Sequence, residues 1–600
     1  MSIDNRLKKY LILCCINFSL LIFFVFSGFK FSNVSTDLIK KEVNLQRLTT
    51  KTGQLVRVNN MDLINDFGEK ITLRGVVFSN CAVYSLHPDD LFQLYKITQK
   101  DYVKIAELGA NSVRFNIQYY WLETKEKREV FFRYLDQQIK YAKNTGVYLI
   151  LNLHYFGRTD ESAKGLEDGF YSGDKYDKGY DLVSFWYNIS RRYRYEPQII
   201  GYDLINEPRC NNDFSEIKLY QQYTQIIQML RANDDDHIVF IAEPDGKILN
   251  PQNYPIKEPF KKLEDNNVAY TYHWYHPILF THQSMFEWAE LGAMYPFVEY
   301  QVKYFGGYYA NPDWTSTKEN NWQLFSGNWV NIFNDSKADF FNIALSAGGV
   351  NDRVWFDDIV LEKRSIDGSD IEQLKVANAS FDDPRRVIGW SKNPQYSSSP
   401  ANWYEKFDEN GTVGVDFTWD RRQDHTGNNG GALLVDGRNV KWAVKNWAIW
   451  SQDGGMLPLY YKAEPGYEYR VKAWIKSYNK VPYKVSITFN YFKGTQQIID
   501  KEWIHKKITN YYHNWSHKYK VPIYCGEFGL TNPAQLGLFV GLYPESQKMW
   551  LKDVVNILNK LGHSWSFHDY KDYNNRIDMF GIFEDGYENL EIQRVLREGF

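Results

Sequence analysis

The chain is poor in cysteine and nearly balanced in charge. It has 5 cysteines in 600 residues, and only Cys81, Cys210 and Cys525 lie beyond the first 27. Three scattered cysteines make no disulfide framework, and the sequence contains no paired-cysteine or HExxH motif, so we expect no metal site and no cofactor. The formal net charge of -3 combines mixed signs and gives no argument for nucleic-acid binding.

Aromatic residues are abundant instead. Phe, Trp and Tyr make up 17% of the chain, with 19 Trp and 45 Tyr. Core packing and contact with sugar rings both use flat apolar faces, and composition does not separate the two uses. Because 600 residues exceed what one hydrophobic core usually holds, we expect two folded units.

The longest apolar run lies near the N-terminus. Residues 10–26 are almost wholly apolar and follow three basic residues. This order is typical of an export signal, with a cleavage point before Gly28. Since the run is close to the length that spans a bilayer, an uncleaved anchor is the alternative. We therefore expect a secreted or extracytoplasmic protein in which residues 1–27 are a signal peptide or a membrane anchor.

Strand-like and helix-like segments alternate over much of the chain. Eight apolar, β-branched runs lie at 71–77, 111–117, 147–153, 199–205, 237–242, 268–275, 521–528 and 563–568. Helical periodicity fills most of the intervals between them. This repeated alternation predicts an α/β fold, a (β/α)8 TIM barrel built from residues 50–310 and 502–600.

The interval between the sixth and seventh runs has a different pattern. Residues 311–501 lack helical periodicity and contain short alternating runs between Gly, Asn, Asp and Ser clusters. This pattern predicts an all-β sandwich inserted between strands 6 and 7 of the barrel. VWFDDIVLEK and NASFDD within it resemble the closing and opening strands of jelly-roll carbohydrate-binding modules, in reversed order. Three interpretations fit this reversed order: a circularly permuted sugar-binding module, two half-domains, or a structural spacer.

Two glutamates end apolar runs of buried-strand character. GYDLINEP contains Asn206 and Glu207, and VPIYCGEFG contains Glu527. The carboxyl end of a barrel strand is where barrel enzymes hold their catalytic groups. Either glutamate alone could equally be a rim residue paired with a basic neighbour. Two carboxylates facing one cleft are the groups that cleave a glycosidic bond, so the pair predicts a glycosidase.

These segments resemble glycoside hydrolase family 5, the cellulase family, a retaining (β/α)8 group in which Asn-Glu-Pro ends strand 4. The resemblance covers about residues 50–310 and 500–590. It implies that Glu207 is the general acid/base and Glu527 the nucleophile. It also implies substrate-binding or supporting roles for residues in SVRF, LNLHY, INEP and YHWYHP, namely Arg114, His154, Asn206, His273 and Tyr275.

Strand 8 departs from the family pattern. The family usually ends this strand with a tryptophan beneath the bound sugar, within W-x-[YF]-W. Here SWSFHDYKD has Trp565 first and His568 in the second position. Either Trp565 supplies the sugar platform, which is the predicted role, or the floor of this subsite differs from that of the family. Strand 1 reads RGVVFSN, with Val77 where many members have asparagine, and no role is transferred to it.

The resulting hypothesis is an exported, retaining β-glycoside hydrolase, an endo-β-1,4-glucanase acting by double displacement as a monomer on β-linked polysaccharide or oligosaccharide. Glu527 should be ionised, and partial burial together with the charge of Glu527 should keep Glu207 protonated. A β-mannanase or a β-1,3-glucanase would use the same pair. A non-catalytic polysaccharide-binding protein is the alternative from another class, and the presence of both glutamates with their supporting residues argues against it. Membrane contact is expected only through an uncleaved N-terminal segment.

Overall fold

The computed structural model describes most of the chain. The described residues are 55–79, 97–155, 182–208, 213–244, 258–282, 295–309, 320–348, 353–376, 378–382, 403–406, 416–427, 430–436, 447–451, 460–478, 484–531, 543–571, 581–584, 587–588 and 590–600. The predicted signal or anchor, Cys81 and Cys210 lie outside them. Within these ranges no helix is both long and apolar enough to cross a bilayer.

Eight parallel strands close into a barrel, which confirms the predicted fold class. In order around the barrel, with strand 8 pairing with strand 1, they are Arg74–Phe78, Ser112–Gln118, Tyr148–Tyr155, Ile199–Asp203, Ile238–Ala242, Val268–Trp274, Ile523–Phe528 and Ser564–Phe567. Strand 7 pairs directly with strand 6, although the inserted segment separates them in the chain.

Strand 2 shows how the sequence divides between the two faces of the barrel. Val113, Phe115 and Ile117 belong to the apolar cluster between the strands and the helices. Because successive side chains alternate, Arg114 and Asn116 face the barrel interior. A strand that is buried on both faces thus delivers polar groups to the interior at its carboxyl end.

The helices surround the barrel and bury one face each. Lys125–Thr145, for example, begins after Thr124, whose side chain accepts a hydrogen bond from the Lys127 amide, and it ends at Gly146 with φ +70°. The other helical segments of the barrel, within the described residues, are Gln99–Leu108, Tyr119–Leu122, Leu182–Tyr193, Asp213–Ala232, Ile278–Thr281, Lys501–Ile508, Thr509–His513, Asn514–Tyr519, Tyr543–Lys560 and Leu590–Gly599.

The amino end of the barrel is filled by apolar side chains. Three short antiparallel strands, Arg57–Asn59, Asp62–Ile64 and Lys70–Ile71, lie against it. The cluster formed there comprises Val56, Leu63, Leu73, Ile150, Ile200, Ile238, Phe240, Ala269 and Tyr524. The interior is therefore a packed core, and polar chemistry is confined to the opposite, carboxyl end.

Two antiparallel sheets lie between strands 6 and 7, as predicted. The first contains Phe297–Tyr309, Lys484–Ile499, Phe340–Gly348, Trp447–Ser451, Trp403–Lys406 and Tyr461–Lys462. The second contains Gln323–Ser326, Tyr467–Ser477, Arg353–Ser365, Ala432–Asp436, Asp416–Asp420 and Glu372–Leu374. Their facing residues form one apolar core that includes Phe341, Ile343, Leu345, Phe356, Val471 and Ile475.

The chain leaves and re-enters the barrel through a two-stranded ribbon. Phe297–Tyr309 pairs antiparallel with Lys484–Ile499, and Phe297 lies opposite Ile499. The two ends of the insertion are thus adjacent, which explains how the barrel accommodates it. The sandwich therefore begins before residue 311, the start expected from sequence, because its first strand follows the barrel segment without a compositional change. A short helix, Ile332–Ser336, lies within the insertion, and a small ribbon, Phe583–Glu584 with Tyr587–Glu588, follows strand 8.

Candidate active site

The carboxyl ends of six strands bring polar side chains together in one cleft. Strand 2 supplies Arg114, strand 3 His154 and strand 7 Glu527, while the residues that end or follow strands 4, 6 and 8 supply the others. All predicted site residues except Trp565 contact one another in this group, directly or through one neighbour. The converging residues are Arg114, His154, Asn206, Glu207, His273, Tyr275, Glu527 and His568.

Glu527 is buried and held by hydrogen-bond donors. One oxygen contacts Arg114 Nη1, and the Tyr275 hydroxyl donates to the other at 2.9 Å. His273 Nδ1 lies 3.5 Å from that second oxygen. Burial acts to raise the pKa of Glu527, but the charges of His273 and Arg114 outweigh it and hold this pKa well below its ordinary value. Glu527 is therefore an ionised carboxylate, as a nucleophile must be.

Arg114 organises three groups from inside the barrel. It is completely buried; its Nε donates to Asp203 Oδ2 at 2.8 Å and its Nη2 to Asn206 Oδ1 at 2.9 Å, while Nη1 contacts Glu527. Sequence reasoning missed Asp203. Its position in GYDLINEP, three residues before Asn206 in a strand otherwise rich in apolar residues, is the signal that could have identified it. Arg114 thus fixes both the nucleophile and the asparagine beside Glu207.

Glu207 has an unusual backbone and a close imidazole partner. Its φ is +40°, a left-handed conformation that costs of order 1–3 kcal/mol for a non-glycine residue and concentrates at functional sites. Its side chain keeps 40% exposure, and His273 Nδ1 lies 2.7 Å from Oε1. The carboxyl group is therefore accessible to a substrate and is hydrogen-bonded to His273.

The pKa of Glu207 is shifted in the direction opposite to the one expected for a carboxyl group that stays protonated. Burial and the charge of Glu527 raise its pKa, but the hydrogen bond and charge of His273 outweigh them, so the pKa lies below its ordinary value. The pKa of His273 moves in the opposite direction: burial lowers it, but the charge of Glu527 and the hydrogen bond to Glu207 raise it overall. The contact therefore favours the ionised form of Glu207 and the protonated form of His273.

Glu207 and Glu527 face each other across a short gap. One carboxylate oxygen of each, together with His273 Nδ1, lies in a group whose members are all within 4.8 Å of one another. Two carboxylates and an imidazole could hold a metal ion, and among the described residues these three are the set that meets this spacing. Both oxygens of Glu527 already have protein partners, Arg114 and Tyr275. The absence of a metal, expected from the sequence, stays a prediction.

His154 lines the same cleft as a neutral group. Its Nδ1 lies 3.1 Å from Asn152 Oδ1 and 3.8 Å from Glu527 Oε1. Burial lowers the pKa of His154 to about 3, although the charge of Glu527 acts in the opposite direction. At neutral pH it therefore offers hydrogen bonds rather than a charge.

Trp565 does not reach the cleft, so its predicted role as a sugar platform is wrong. It is fully buried; its Nε1 donates to Asn559 Oδ1 at 2.9 Å, and its ring stacks on Phe600 with centroids 4.9 Å apart. The reason is strand alternation: Ser566 faces the interior and Trp565 the helices. The next interior position beyond the strand belongs to His568.

Comparison with known proteins gives a family. The model of the family "Cellulase (glycosyl hydrolase family 5)" matches residues 64–344. This range contains all predicted site residues of strands 2 to 6 and ends before Glu527, so the position of Glu527 comes from the closure of the barrel.

The curated relatives include two kinds of glucan-degrading enzyme. "Endoglucanase C" of Acetivibrio thermocellus is 28% identical over 253 residues, which are 40% of this chain and 66% of that protein. "Probable glucan 1,3-beta-glucosidase A" of Aspergillus fumigatus is 32% identical over 161 residues, 24% of this chain and 36% of that protein. This chain thus spans just under two thirds of the first relative and about a third of the second.

Among solved structures, the endoglucanase Cel5A of Thermotoga maritima aligns with 87% of this chain and 96% of its own at 14% identity and a TM-score of 0.41, too weak a similarity to add to the assignment. Residues 64–344, just under half of the chain, are similar to the cellulase domain of glycosyl hydrolase family 5.

Proposed function

We propose that the protein is an exported, retaining β-glycoside hydrolase whose main reaction is the internal hydrolysis of β-1,4-glucan. The observation that carries the proposal is the approach of one Glu207 oxygen to one Glu527 oxygen within 4.8 Å. Retaining glycosidases hold their two carboxyl groups about 5–5.5 Å apart, whereas inverting enzymes keep about 6.5–9.5 Å between them for a water molecule. The gap here fits direct attack by one carboxylate.

In the first step Glu527 attacks the anomeric carbon, and the bond from that carbon to the leaving oxygen breaks. Glu207 transfers a proton to this oxygen, so a glycosyl-enzyme ester and a free sugar hydroxyl result. The proton originates in the Glu207–His273 pair. When substrate enters, the leaving oxygen replaces His273 as the partner of Glu207, and we expect the proton to move from Nδ1 to the carboxyl group as bond cleavage begins.

In the second step Glu207, now ionised, takes a proton from water. The water oxygen attacks the anomeric carbon, and the ester bond to Glu527 breaks. Tyr275 and Arg114 again hydrogen-bond the released carboxylate. Two displacements at one carbon restore the β configuration, and the proton returns to the Glu207–His273 pair.

Asn206 and His154 support binding in this account. Arg114 Nη2 fixes Asn206 through its side-chain oxygen, which directs the amide NH2 of Asn206 away from Arg114. That group can then bond the sugar 2-hydroxyl, a contact that strengthens in the transition state. His154 is neutral because it is buried, and beside Glu527 it offers a hydrogen bond without a charge.

A second candidate is hydrolysis of β-1,3-glucan. The relatives named glucan 1,3-beta-glucosidase favour it, while those named endoglucanase favour the first candidate. Both reactions use the same carboxylate pair, because linkage choice depends on loops around the cleft. Export through residues 1–27, sugar binding by the inserted sandwich and a monomeric state complete the proposal.

A substrate panel tests it. The chain lacking residues 1–27 is incubated with carboxymethylcellulose, mixed-linkage β-glucan, β-1,3-glucan, glucomannan, galactomannan and xylan, and reducing ends are measured. Glu527→Ala runs alongside, with Glu129→Ala at an exposed helix position as the matched control. We expect release from a β-1,4-linked glucan that only Glu527→Ala abolishes. Release from β-1,3-glucan alone would select the second candidate, and silence from the folded protein on every polymer would contradict the proposal.

A further inference from the structure

Asp203 is a buried carboxylate that the proposed mechanism does not yet use. It ends strand 4, and its side chain has 0% exposure. Arg114 Nε donates to its Oδ2 at 2.8 Å, and the Arg114 side chain is equally buried. Its other oxygen, Oδ1, has no hydrogen-bond partner within the described part of the chain. Arg114 is therefore the cation that balances this carboxylate.

Arg114 stands between two carboxylates from different strands. Its Nη1 contacts Glu527 on strand 7, while its Nε binds Asp203 on strand 4. Burial acts to lower the pKa of Arg114, but the charges of Asp203 and Glu527 outweigh it and raise this pKa above its ordinary value. One buried cation thus has two counter-ions, and only one of them takes part in the chemistry.

The first displacement removes the charge of one counter-ion. When Glu527 attacks the anomeric carbon, the bond from that carbon to the leaving oxygen breaks and this oxygen takes the proton that Glu207 delivers. The carboxylate of Glu527 becomes an ester without charge. A buried guanidinium that loses its counter-ion is strongly unfavourable, so the step depends on what else balances Arg114.

Asp203 can balance Arg114 throughout this step. Burial raises the pKa of Asp203, the charge and hydrogen bond of Arg114 oppose that rise, and the charge of Glu527 adds to it. Formation of the ester removes this last cause. Asp203 therefore holds its negative charge more firmly in the glycosyl-enzyme than in the free protein.

We propose that Asp203 is a positioning residue that remains the counter-ion of Arg114 while Glu527 is esterified. This inference rests on the proposed retaining mechanism and deepens it. Asp203 acts through Arg114, whose Nη1 and Nη2 hold Glu527 and Asn206. By sharing the charge of the guanidinium, it also keeps Glu527 from being stabilised so strongly as a carboxylate that attack becomes slow.

The two displacements should respond differently to the charge of Asp203. Without that charge, Arg114 would bind the carboxylate form of Glu527 more strongly. Attack on the sugar would become slower, whereas departure of Glu527 in the second displacement would stay as fast or become faster. A side chain that only shaped the site would slow both steps when it was changed.

The test measures the two steps separately. Inactivation by a 2-deoxy-2-fluoro β-cellobioside with an activated leaving group reports the first displacement. Reactivation of the isolated glycosyl-enzyme with cellobiose as acceptor reports the second. Asp203→Asn keeps the size of the side chain and removes its charge. Asp235→Asn, at a buried aspartate that binds His237 before strand 5, is the matched control.

We expect Asp203→Asn to slow inactivation about 10- to 100-fold and to leave reactivation as fast as in wild type or faster. Both rates should stay within about twofold of wild type in Asp235→Asn. Equal slowing of the two steps in Asp203→Asn, or an unchanged rate of inactivation, would overturn the inference and leave the retaining mechanism intact.

A second variant keeps the charge of Asp203 on a longer side chain. In Asp203→Glu the ratio of the two rates should stay near the wild-type value, even where both rates fall. A ratio shifted towards slow inactivation would overturn the inference, and this variant decides alone if Asp203→Asn does not fold. A wild-type protein that the fluoro-sugar does not label would instead contradict the retaining mechanism on which the inference rests.

Discussion

Two of the histidine–carboxylate pairs in the described part of the barrel are nearly equal in length but differ in almost everything else. At the amino end, before strand 5, His237 Nδ1 lies 2.6 Å from Asp235 Oδ1, and both side chains have 0% exposure. At the carboxyl end, His273 Nδ1 lies 2.7 Å from Glu207 Oε1, and Glu207 keeps 40% exposure. The same chemistry is thus closed to substrate at one end and open to it at the other.

The amino-end pair is internally satisfied. The Tyr202 hydroxyl donates to Asp235 Oδ2 at 2.9 Å, and His237 Nε2 reaches the Glu196 carbonyl oxygen at 3.0 Å. The carboxyl-end pair instead stands beside a second carboxylate, Glu527, and one member has a strained backbone. A buried pair with all its partners stabilises the fold, whereas a pair that must exchange a partner for substrate performs chemistry.

The largest expected effect concerns the nucleophile. Glu527→Gln keeps the shape of the side chain but cannot form the glycosyl ester, so we expect kcat to fall about 10⁴-fold or more on every substrate that the wild type cleaves. Arg114 retains Asp203 as a counter-ion, and the variant should still fold. Initial rates on the best polymer of the panel and a circular dichroism spectrum measure both points. Activity within tenfold of wild type would remove Glu527 from the mechanism.

The second effect concerns Glu207 and depends on the leaving group. Glu207→Ala should lower kcat/KM about 10²- to 10⁴-fold on glucan, but much less on an aryl glycoside whose phenol departs without a proton. Added azide should then restore turnover by taking the place of the activated water. Equal losses on both substrates, without azide rescue, would contradict the acid/base role.

The backbone of Glu207 provides a related comparison. Since φ is +40°, Glu207→Gly should be about 1 kcal/mol more stable than Glu207→Ala, and both should lack activity on glucan. Thermal unfolding of the two variants measures the difference. A less stable glycine variant would show that the left-handed conformation carries no strain.

The amino-end pair should affect stability and leave catalysis unchanged. Asp235→Ala deprives Tyr202 and His237 of buried hydrogen bonds, so we expect the free energy of unfolding to fall by about 3 kcal/mol. The kcat of the folded fraction at 25 °C should remain within about twofold, because the pair lies at the closed end of the barrel. Urea denaturation with matched kinetics tests this, and a large fall in kcat with unchanged stability would erase the distinction between the two ends.

The smallest expected effect is a change in pH profile. On the acid side, wild-type kcat/KM should fall only below the ordinary glutamate pKa of about 4.3, because the pKa of Glu527 is lowered. On the alkaline side, it should fall only above the ordinary histidine pKa of about 6.5, because the pKa of His273 is raised. His273→Asn removes the group that lowers the pKa of both glutamates. The acid limb should therefore move to higher pH, and the alkaline limb, now set by Glu207 alone, should move to lower pH. If the pH profile of kcat/KM in His273→Asn were as wide as in wild type or wider, the proposal that His273 and Glu207 share a proton would be contradicted.

Sequence reasoning reached the barrel and the carboxylate pair because both depend on local patterns. Apolar runs of strand length place Glu207 and Glu527 at strand ends, and parallel strands bring such ends to one rim. It failed where one residue of register decides the outcome. Trp565 and His568 lie three positions apart on opposite faces, and only the strand pairing fixes which one enters the cleft.

The protonation state of Glu207 also lay beyond the sequence. His273 and Glu207 are far apart in the chain, and the 2.7 Å contact that moves the proton to His273 exists only in the folded barrel. Asp203 was missed for a similar reason, since its partner Arg114 lies on another strand. Burial, by contrast, was predictable for Cys525, which lies within strand 7 with 0% exposure.

The central claim is that Glu527 forms a covalent bond to the sugar. Incubation with a 2-deoxy-2-fluoro β-cellobioside carrying an activated leaving group slows the second displacement more than the first, so the glycosyl-enzyme should accumulate. Intact mass spectrometry should then show one added fluorocellobiosyl unit, and peptide mapping should place it on Glu527. Substrate turnover with β-configured product but with the label on another residue would contradict the assignment of Glu527, and an α-configured product without any label would contradict retention itself.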